Sequence, residues 1–391
     1  MAVPQWMWLV FIFAFGCCVG SFLNVVIYRL PRDKSLVRPG SSCPACGHRI
    51  HFYDNIPLVS WVVLRGRCRY CKKPISFRYF VIEFVTGAAF VGLYLLYFRS
   101  TLRSGIPAFA AGGWLIYAVS VILAAGLIAA SAIDLELWVI PICACWFVTA
   151  AGFVAAAAAG YFIDAQQIRQ FALLPAASAT SGVLAVGAAI GMGVAHLLLL
   201  TGVVKRSYLS EDSQDSQSPA APADAEGHFN HRLEVLREVL FLLPIIICSA
   251  GGYLVLRQLD SGWSWWVATL SRYPLVSGFL GSLWGYFVGC GVVWATRIFG
   301  TLLFGREAMG LGDVHLMGAA GAVVGALLIV PAFFIAPFFG LAWAGVQMFF
   351  KKTRQIPYGP FLSAAVFVVI ILHDWIINYW VTFRYNYQLV R

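Results

Sequence analysis

The stretch 114–133, WLIYAVSVILAAGLIAASAI, is twenty residues long and carries no charge. About 20 apolar residues in an α-helix are what it takes to cross a hydrocarbon core of about 30 Å. A backbone in that medium must satisfy its own hydrogen bonds, which restricts spanning segments to helices and closed barrels. Comparable runs recur along the 391 residues, and only 11% of the chain is charged, against about 25% in soluble domains. The expected fold class is therefore all-α, a polytopic integral membrane helical bundle of about eight to ten spans. Ten candidates stand out, at 5–28, 79–98, 114–133, 141–163, 174–203, 239–256, 274–296, 314–328, 331–350 and 359–383, the eighth being short and cut off by Pro331. The first run lacks a basic n-region and is too long for a signal-peptide core, so it reads as a retained span with its N-terminus outside.

The formal net charge of +10 raises nucleic acid as a partner, and its distribution argues against that. With the N-terminus outside, twenty of the 27 Lys and Arg residues fall in the inside segments 29–78, 205–238, 297–313 and 351–354. Such asymmetry is the positive-inside rule. The chain divides into a first span (1–28), a small cytoplasmic loop domain (29–78), membrane helices carrying Asp134 (79–204), a cytoplasmic loop (205–238) and membrane helices carrying Asp313 (239–391). Within the fourth segment, KRSYLSEDSQDSQSPAAPADAEGHFN (205–230) is too polar to bury a core and reads as disordered, and HRLEVLREVL after it reads as a short amphipathic lead-in to the next span. Small residues throughout the spans allow helices to approach closely.

The loop domain contains CPACGHRIHFYDNIPLVSWVVLRGRCRYC, two C-x2-C knuckles separated by 21 residues. Four thiolates at Cys43, Cys46, Cys68 and Cys71 can converge tetrahedrally on zinc, with rubredoxin-like iron open on the same ligands. A closed four-thiolate set leaves no position for a catalytic water, so the metal is expected to be structural. Gly47 eases the turn of the first knuckle, and His48 and His51 are expected at the surface. The remaining six cysteines, Cys17, Cys18, Cys143, Cys145, Cys248 and Cys290, read as small buried hydrophobes.

Carboxylates are costly in a bilayer, by about 2.5–3.5 kcal/mol at mid-span, and so are functional candidates there. The set is Glu83, Asp134, Glu136, Asp313 and Asp374. Asp134 ends the third span and Asp313 begins the eighth, at matched depth on the inside edge; Glu136 reads as solvated and Asp374 as a local helix contact. Two carboxylates sharing a proton can hydrolyse a peptide bond, one as base on water and the other as acid on the carbonyl. Gly310 and Gly312 would let a substrate backbone approach Asp313. The residue types alone leave open an aspartyl protease, a proton-coupled membrane transporter using Asp134 and Asp313 as relay groups, and a non-catalytic scaffold for a secretion apparatus.

GSFLNVVIYRLP (20–31), DNIPLVSW (54–61), ISFRYFVIE (75–83), AIDLELWVIP (132–141), MGLGDVHLMGAAGAVVG (309–325) and IPYGPFL (356–362) decide among these by their order. The chain resembles the type IV prepilin peptidases, membrane aspartyl proteases with a GxGD motif. The resemblance implies catalysis by Asp134 and Asp313, with Gly310 and Gly312 completing the motif, and zinc on Cys43, Cys46, Cys68 and Cys71. It implies prepilin or pseudopilin precursors as partners, cleaved on the cytoplasmic side of the bacterial inner membrane in type IV pilus assembly or protein secretion. Many members with this N-terminal domain also use S-adenosylmethionine to methylate the new N-terminus. His315 departs from the family, which usually has Lys there, and is expected to make activity more pH-sensitive. The leaders are themselves basic, so the basic loop 29–78 suits membrane lipids with anionic headgroups better than the leader.

Overall fold

The computed structural model describes residues 4–204, 231–349 and 357–389. The segment 205–230, expected to be disordered, lies outside the described residues. Among the described residues, fourteen α-helices run in chain order: α1 (Gln5–Arg29), α2 (Val59–Val63), α3 (Phe77–Phe98), α4 (Gly113–Leu137), α5 (Ile142–Phe162), α6 (Ala165–Gln170), α7 (Ala179–Leu200), α8 (His231–Gln258), α9 (Asp260–Arg272), α10 (Pro274–Phe304), α11 (Leu311–Val324), α12 (Ala326–Phe349), α13 (Gly359–Ile371) and α14 (His373–Leu389). No strand occurs among the described residues beyond two isolated bridges in the loop domain. Among the described residues, eight helices are long and apolar enough to cross a membrane, or nine if α13 and α14, bent by 71°, form one span.

Helix boundaries follow local chemistry. Ser76 caps α3 and a Ser178–Ser181 capping box starts α7. Pro274 opens α10 at its first position, where no N–H is needed, and Gly305 closes it at φ +66°. One expectation is corrected here. The eighth run was to be cut off by Pro331, but α11 ends at Gly325, whose φ of +86° suits glycine, and Pro331 lies inside α12. At 14 residues α11 is about 21 Å long, too short to cross the core alone. The amphipathic lead-in is likewise not separate, since it forms the first turns of α8.

The core gathers α4, α5, α10, α11, α12 and α13 around α11, whose residues from Asp313 to Val323 are almost all buried. Backbone contact between α10 and α11 requires glycine. A Cβ on Gly285 would sit 2.1 Å from the Gly321 carbonyl oxygen, and one on Gly289 2.2 Å from that of Met317. A second cluster packs the last turns of α1 (Leu23, Ile27) against the start of α3 (Ile82) and the last turns of α4 (Ala129, Ala132, Ile133). The end of α4 therefore lies at the same end of the bundle as the loop domain joining α1 to α3. At the opposite end, Asp374 accepts hydrogen bonds from the Ser104 N–H and hydroxyl, 2.6 Å each, and pairs with His373 at 2.8 Å. Only the His373 contact is local, so the reading of Asp374 as a local helix contact is corrected: it chiefly ties α14 to the loop after α3. The six other cysteines divide: Cys17, Cys145 and Cys290 are buried and Cys248 is half-buried. Cys18 and Cys143 are exposed, which corrects their reading as buried.

Candidate active site

The two cysteine knuckles are copies of one turn. In the first, Cys43 N–H donates to the His48 carbonyl at 2.9 Å and Gly47 N–H to the Cys43 carbonyl at 2.8 Å. In the second, Cys68 N–H donates to the Lys73 carbonyl at 2.9 Å and Lys72 N–H to the Cys68 carbonyl at 3.1 Å. Each is clasped by an antiparallel bridge, Ser42 with Arg49 and Arg67 with Pro74. The four Sγ atoms lie within 4.8 Å of one another, and Cys43 and Cys71 are 3.8 Å apart. Tetrahedral zinc with Zn–S bonds of about 2.3 Å needs sulfurs about 3.8 Å apart, so the donor set fits the ion. His48 and His51 are exposed as expected, and the His51 imidazole bonds the Tyr70 hydroxyl at 2.8 Å.

The fifth residue of each knuckle is left-handed, Gly47 at φ +71° and Lys72 at φ +59°. The left-handed region costs a residue with a Cβ about 1–2 kcal/mol. Lys72→Gly is therefore expected to stabilise the loop by up to about 1 kcal/mol, after glycine's larger unfolded-state entropy is set against the relief. A higher chelator concentration at half-release of the metal would register it.

Two acids hold this loop, one within it and one to the bundle. Asp54 takes the Arg69 guanidinium in a two-pronged pair at 2.7 and 2.5 Å, and that cation holds the Asp54 carboxyl below its ordinary pKa. Glu83, buried in α3, accepts the Leu58 N–H at 2.8 Å, with Leu58 held at φ +61°. Glu136 is exposed, as its reading as solvated expects, and it also pairs with Arg78, two residues into α3.

Asp134 lies in the last turn of α4 and Asp313 in the first turn of α11, and both are buried. The chain reverses after Asp134. Trp138 N–H closes α4 on the Asp134 carbonyl at 3.0 Å with φ +59°, and Pro141 then caps α5. That reversal drives Ile140 between two glycines. A Cβ on Gly312 would lie 2.8 Å from the Ile140 Cβ, and one on Gly359 would lie 3.3 Å from the Ile140 Cδ1 and 2.8 Å from Asp134 Oδ2. The Gly359 N–H donates to that same Oδ2 at 2.9 Å, and one turn further in, the Ser131 hydroxyl donates to Ser363 at 2.9 Å. The three motifs AIDLELWVIP, GLGD and YGP thus meet around Ile140.

Gly312 therefore does not serve substrate approach; it is used up by packing on Ile140. Gly310, at φ −74° and ψ 151°, has room for a Cβ, which would meet Asp313 Oδ2 at 3.6 Å. Gly312→Ala is expected to destabilise the protein by about 1–3 kcal/mol, as overpacking does, whereas Gly310→Ala should melt with wild type. Thermal unfolding in detergent compares them. His315 is half-buried on α11 with its ring 6.1 Å from that of Trp146 on α5. Two contacts were missed in the sequence. The Gly359 amide carried no side-chain signal, although YGP was among the motifs. The buried pair Arg297–Glu238, at 2.6 Å, joins residues 59 positions apart, and Arg297 had been counted only as a topological charge.

Residues 14–97 match the model of the Bacterial Peptidase A24 N-terminal domain. The prepilin leader peptidase/N-methyltransferase of Myxococcus xanthus is 46% identical over 134 residues, 34% of this chain and 36% of that relative. Over these parts the chain is similar to prepilin leader peptidases. The enzyme of the same description from Burkholderia pseudomallei (strain 1026b) is 37% identical over 165 residues, 36% of this chain and 49% of its own. The type 4 prepilin-like proteins leader peptide-processing enzyme of Escherichia coli is 40% identical over 139 residues, 31% of this chain and 46% of its own. The matched region spans less than half the length of each of these relatives. No solved structure matches.

Proposed function

We propose that the chain is a membrane aspartyl endopeptidase that cuts basic leaders from type IV prepilins or pseudopilins, with Asp134 and Asp313 as its catalytic pair. The observation that carries this is that Gly312, next to Asp313, and Gly359, which donates to Asp134, both pack on Ile140. One aspartate takes a proton from a water, whose oxygen attacks the scissile carbonyl, while the other, protonated, donates to the carbonyl oxygen. Collapse of the tetrahedral intermediate sends a proton to the leaving amine and restores the shared proton of the pair. The Gly359 N–H fixes the rotamer of Asp134, and the α11 amino terminus suits the charge of Asp313.

The positive-inside pattern supports an inner-membrane chain with its N-terminus outside and the pair facing the cytoplasm, beside the loop domain. Zinc on Cys43, Cys46, Cys68 and Cys71 would staple that loop and take no part in hydrolysis. The loop's basic residues suit anionic lipid headgroups. Methyl transfer from S-adenosylmethionine rests on the relatives' names alone. Those names describe peptidases, which leaves the proton-coupled transporter without support.

Co-expression with a prepilin carrying a basic leader, followed by mass spectrometry of its N-terminus, tests the reading. A leaderless product is expected, and its mass reads methylation at the same time. An unprocessed precursor in the presence of folded enzyme would overturn the assignment.

A further inference from the structure

Arg297 is the largest wholly buried side chain among the described residues, at 0% exposure near the end of α10. Its guanidinium Nε donates to Glu238 Oε1 at 2.6 Å and its Nη1 to the Met309 carbonyl at 2.5 Å, with Glu307 a further 2.8 Å partner. Glu238 is 1% exposed on α8, and its second oxygen accepts from the Trp294 indole at 3.3 Å. The segment 307–309 is held to α10 by two more contacts. Ala308 N–H donates to the Thr301 hydroxyl at 3.4 Å, and a Cβ on Gly300 would meet the Ala308 Cβ at 2.5 Å. Gly310 then caps α11, its carbonyl accepting the Asp313 N–H at 3.2 Å.

A buried ion pair is a poor choice for stability alone. Apolar side chains of the same volume often do as well or better, because both charges must be stripped of water. What an apolar pair cannot do is grip a backbone carbonyl at a fixed point. Met309 is the residue before the cap of α11, so its carbonyl sets where that helix starts and which way Asp313 faces.

We infer that Arg297 is a positioning residue: braced by Glu238 of α8, it clamps the Met309 carbonyl and so holds Asp313 in register with Asp134. The guanidinium suits this because its planar fork serves the carboxylate and the carbonyl from two nitrogens at once. The clamp also ties the catalytic end of α11 to the first turns of α8, the helix that follows 205–230. Its consequence for hydrolysis rests on the peptidase reading; its consequence for the loop does not.

The test is the double variant Arg297→Met/Glu238→Leu, which removes both charges and keeps the volume. Its thermal midpoint in detergent is expected to match wild type. Amide exchange across 307–312 should quicken at least about 10-fold, since the clamp that closes this segment is gone. Turnover of a prepilin should fall roughly 10–100-fold with KM within about twofold, the loss expected when a reacting group is misplaced by an ångström or so. Exchange and kcat both at wild-type values would overturn the inference and leave the pair a mere packing element. If the double variant does not accumulate, Arg297→Lys is read the same way, since one ammonium keeps the charge against Glu238 but not the two-point grip. If wild type itself cuts no precursor, the peptidase reading falls, and the exchange arm still decides the clamp.

Discussion

Asp313→Asn is expected to lower processing of a co-expressed prepilin by roughly 10²–10⁴-fold, the range a positioned acid or base contributes. The amide is nearly isosteric with the carboxylate, and the burial, the helix start at Gly310 and the packing of Gly312 on Ile140 are all retained. Thermal stability and detergent elution should therefore match wild type. What is lost is the ability to hold and pass a proton. Asp134→Asn should fail to the same extent for the same reason. Its amide oxygen can still accept the Gly359 N–H, so that contact does not explain the defect away. For a pair acting as one proton-sharing unit, the double variant should be scarcely worse than either single. Quantitative immunoblotting of precursor and product, corrected for enzyme level, reads all three. Processing within threefold of wild type in either single variant would remove the dyad.

The bundle was legible because a bilayer leaves the chain few choices. Charge-free runs of the right length became helices, and the two C-x2-C knuckles became one cluster, each signal lying within a short window. The eighth segment was misjudged because proline is a strong helix breaker in water. In a membrane helix neighbouring groups satisfy the freed carbonyl, so Pro331 stays inside α12 and the glycine before it makes the break.

At the proposed site, the two aspartates were legible and the residues that hold them were not. Asp134 and Asp313 stand out because carboxylates are rare beside apolar runs. Gly359 acts through its backbone amide and Ile140 through its shape, and neither property differs from that of any other glycine or isoleucine in the chain. Gly312 shows the same limit from the other side, since its place in GxGD does not reveal whether the missing side chain admits a substrate or a neighbouring helix. Arg297 was hidden by its charge. In a chain whose cations follow topology, an arginine near a helix end reads as one more inside residue, and only three dimensions bring Glu238 to it.

Cys43→Ser carries the other large expected effect. Metal analysis of the purified wild type should find about one zinc per chain, and the variant close to none, because a serine hydroxyl does not replace a thiolate in a closed four-sulfur set. Structural zinc of this kind contributes about 10–16 kcal/mol of apparent binding free energy at neutral pH. Residues 36–76 contain only one five-residue α-helix and few buried side chains, so nothing else there offsets such a loss. The loop should become protease-sensitive between its knuckles. The bundle should not follow it, because the loop meets α3 mainly through the Glu83–Leu58 hydrogen bond and Trp61 of the short helix α2 against Phe77 and Phe80. Cleavage is then expected to fall by less than about 10-fold, set against the 10²–10⁴-fold of the aspartate variants. That contrast separates a staple from a catalyst: a metal-free variant as inactive as Asp313→Asn, with an intact bundle, would give the metal a part in the chemistry. Iron in place of zinc in the wild-type analysis would leave the geometry standing and change only the ion. A full complement of metal in Cys43→Ser would dissolve the four-thiolate site itself.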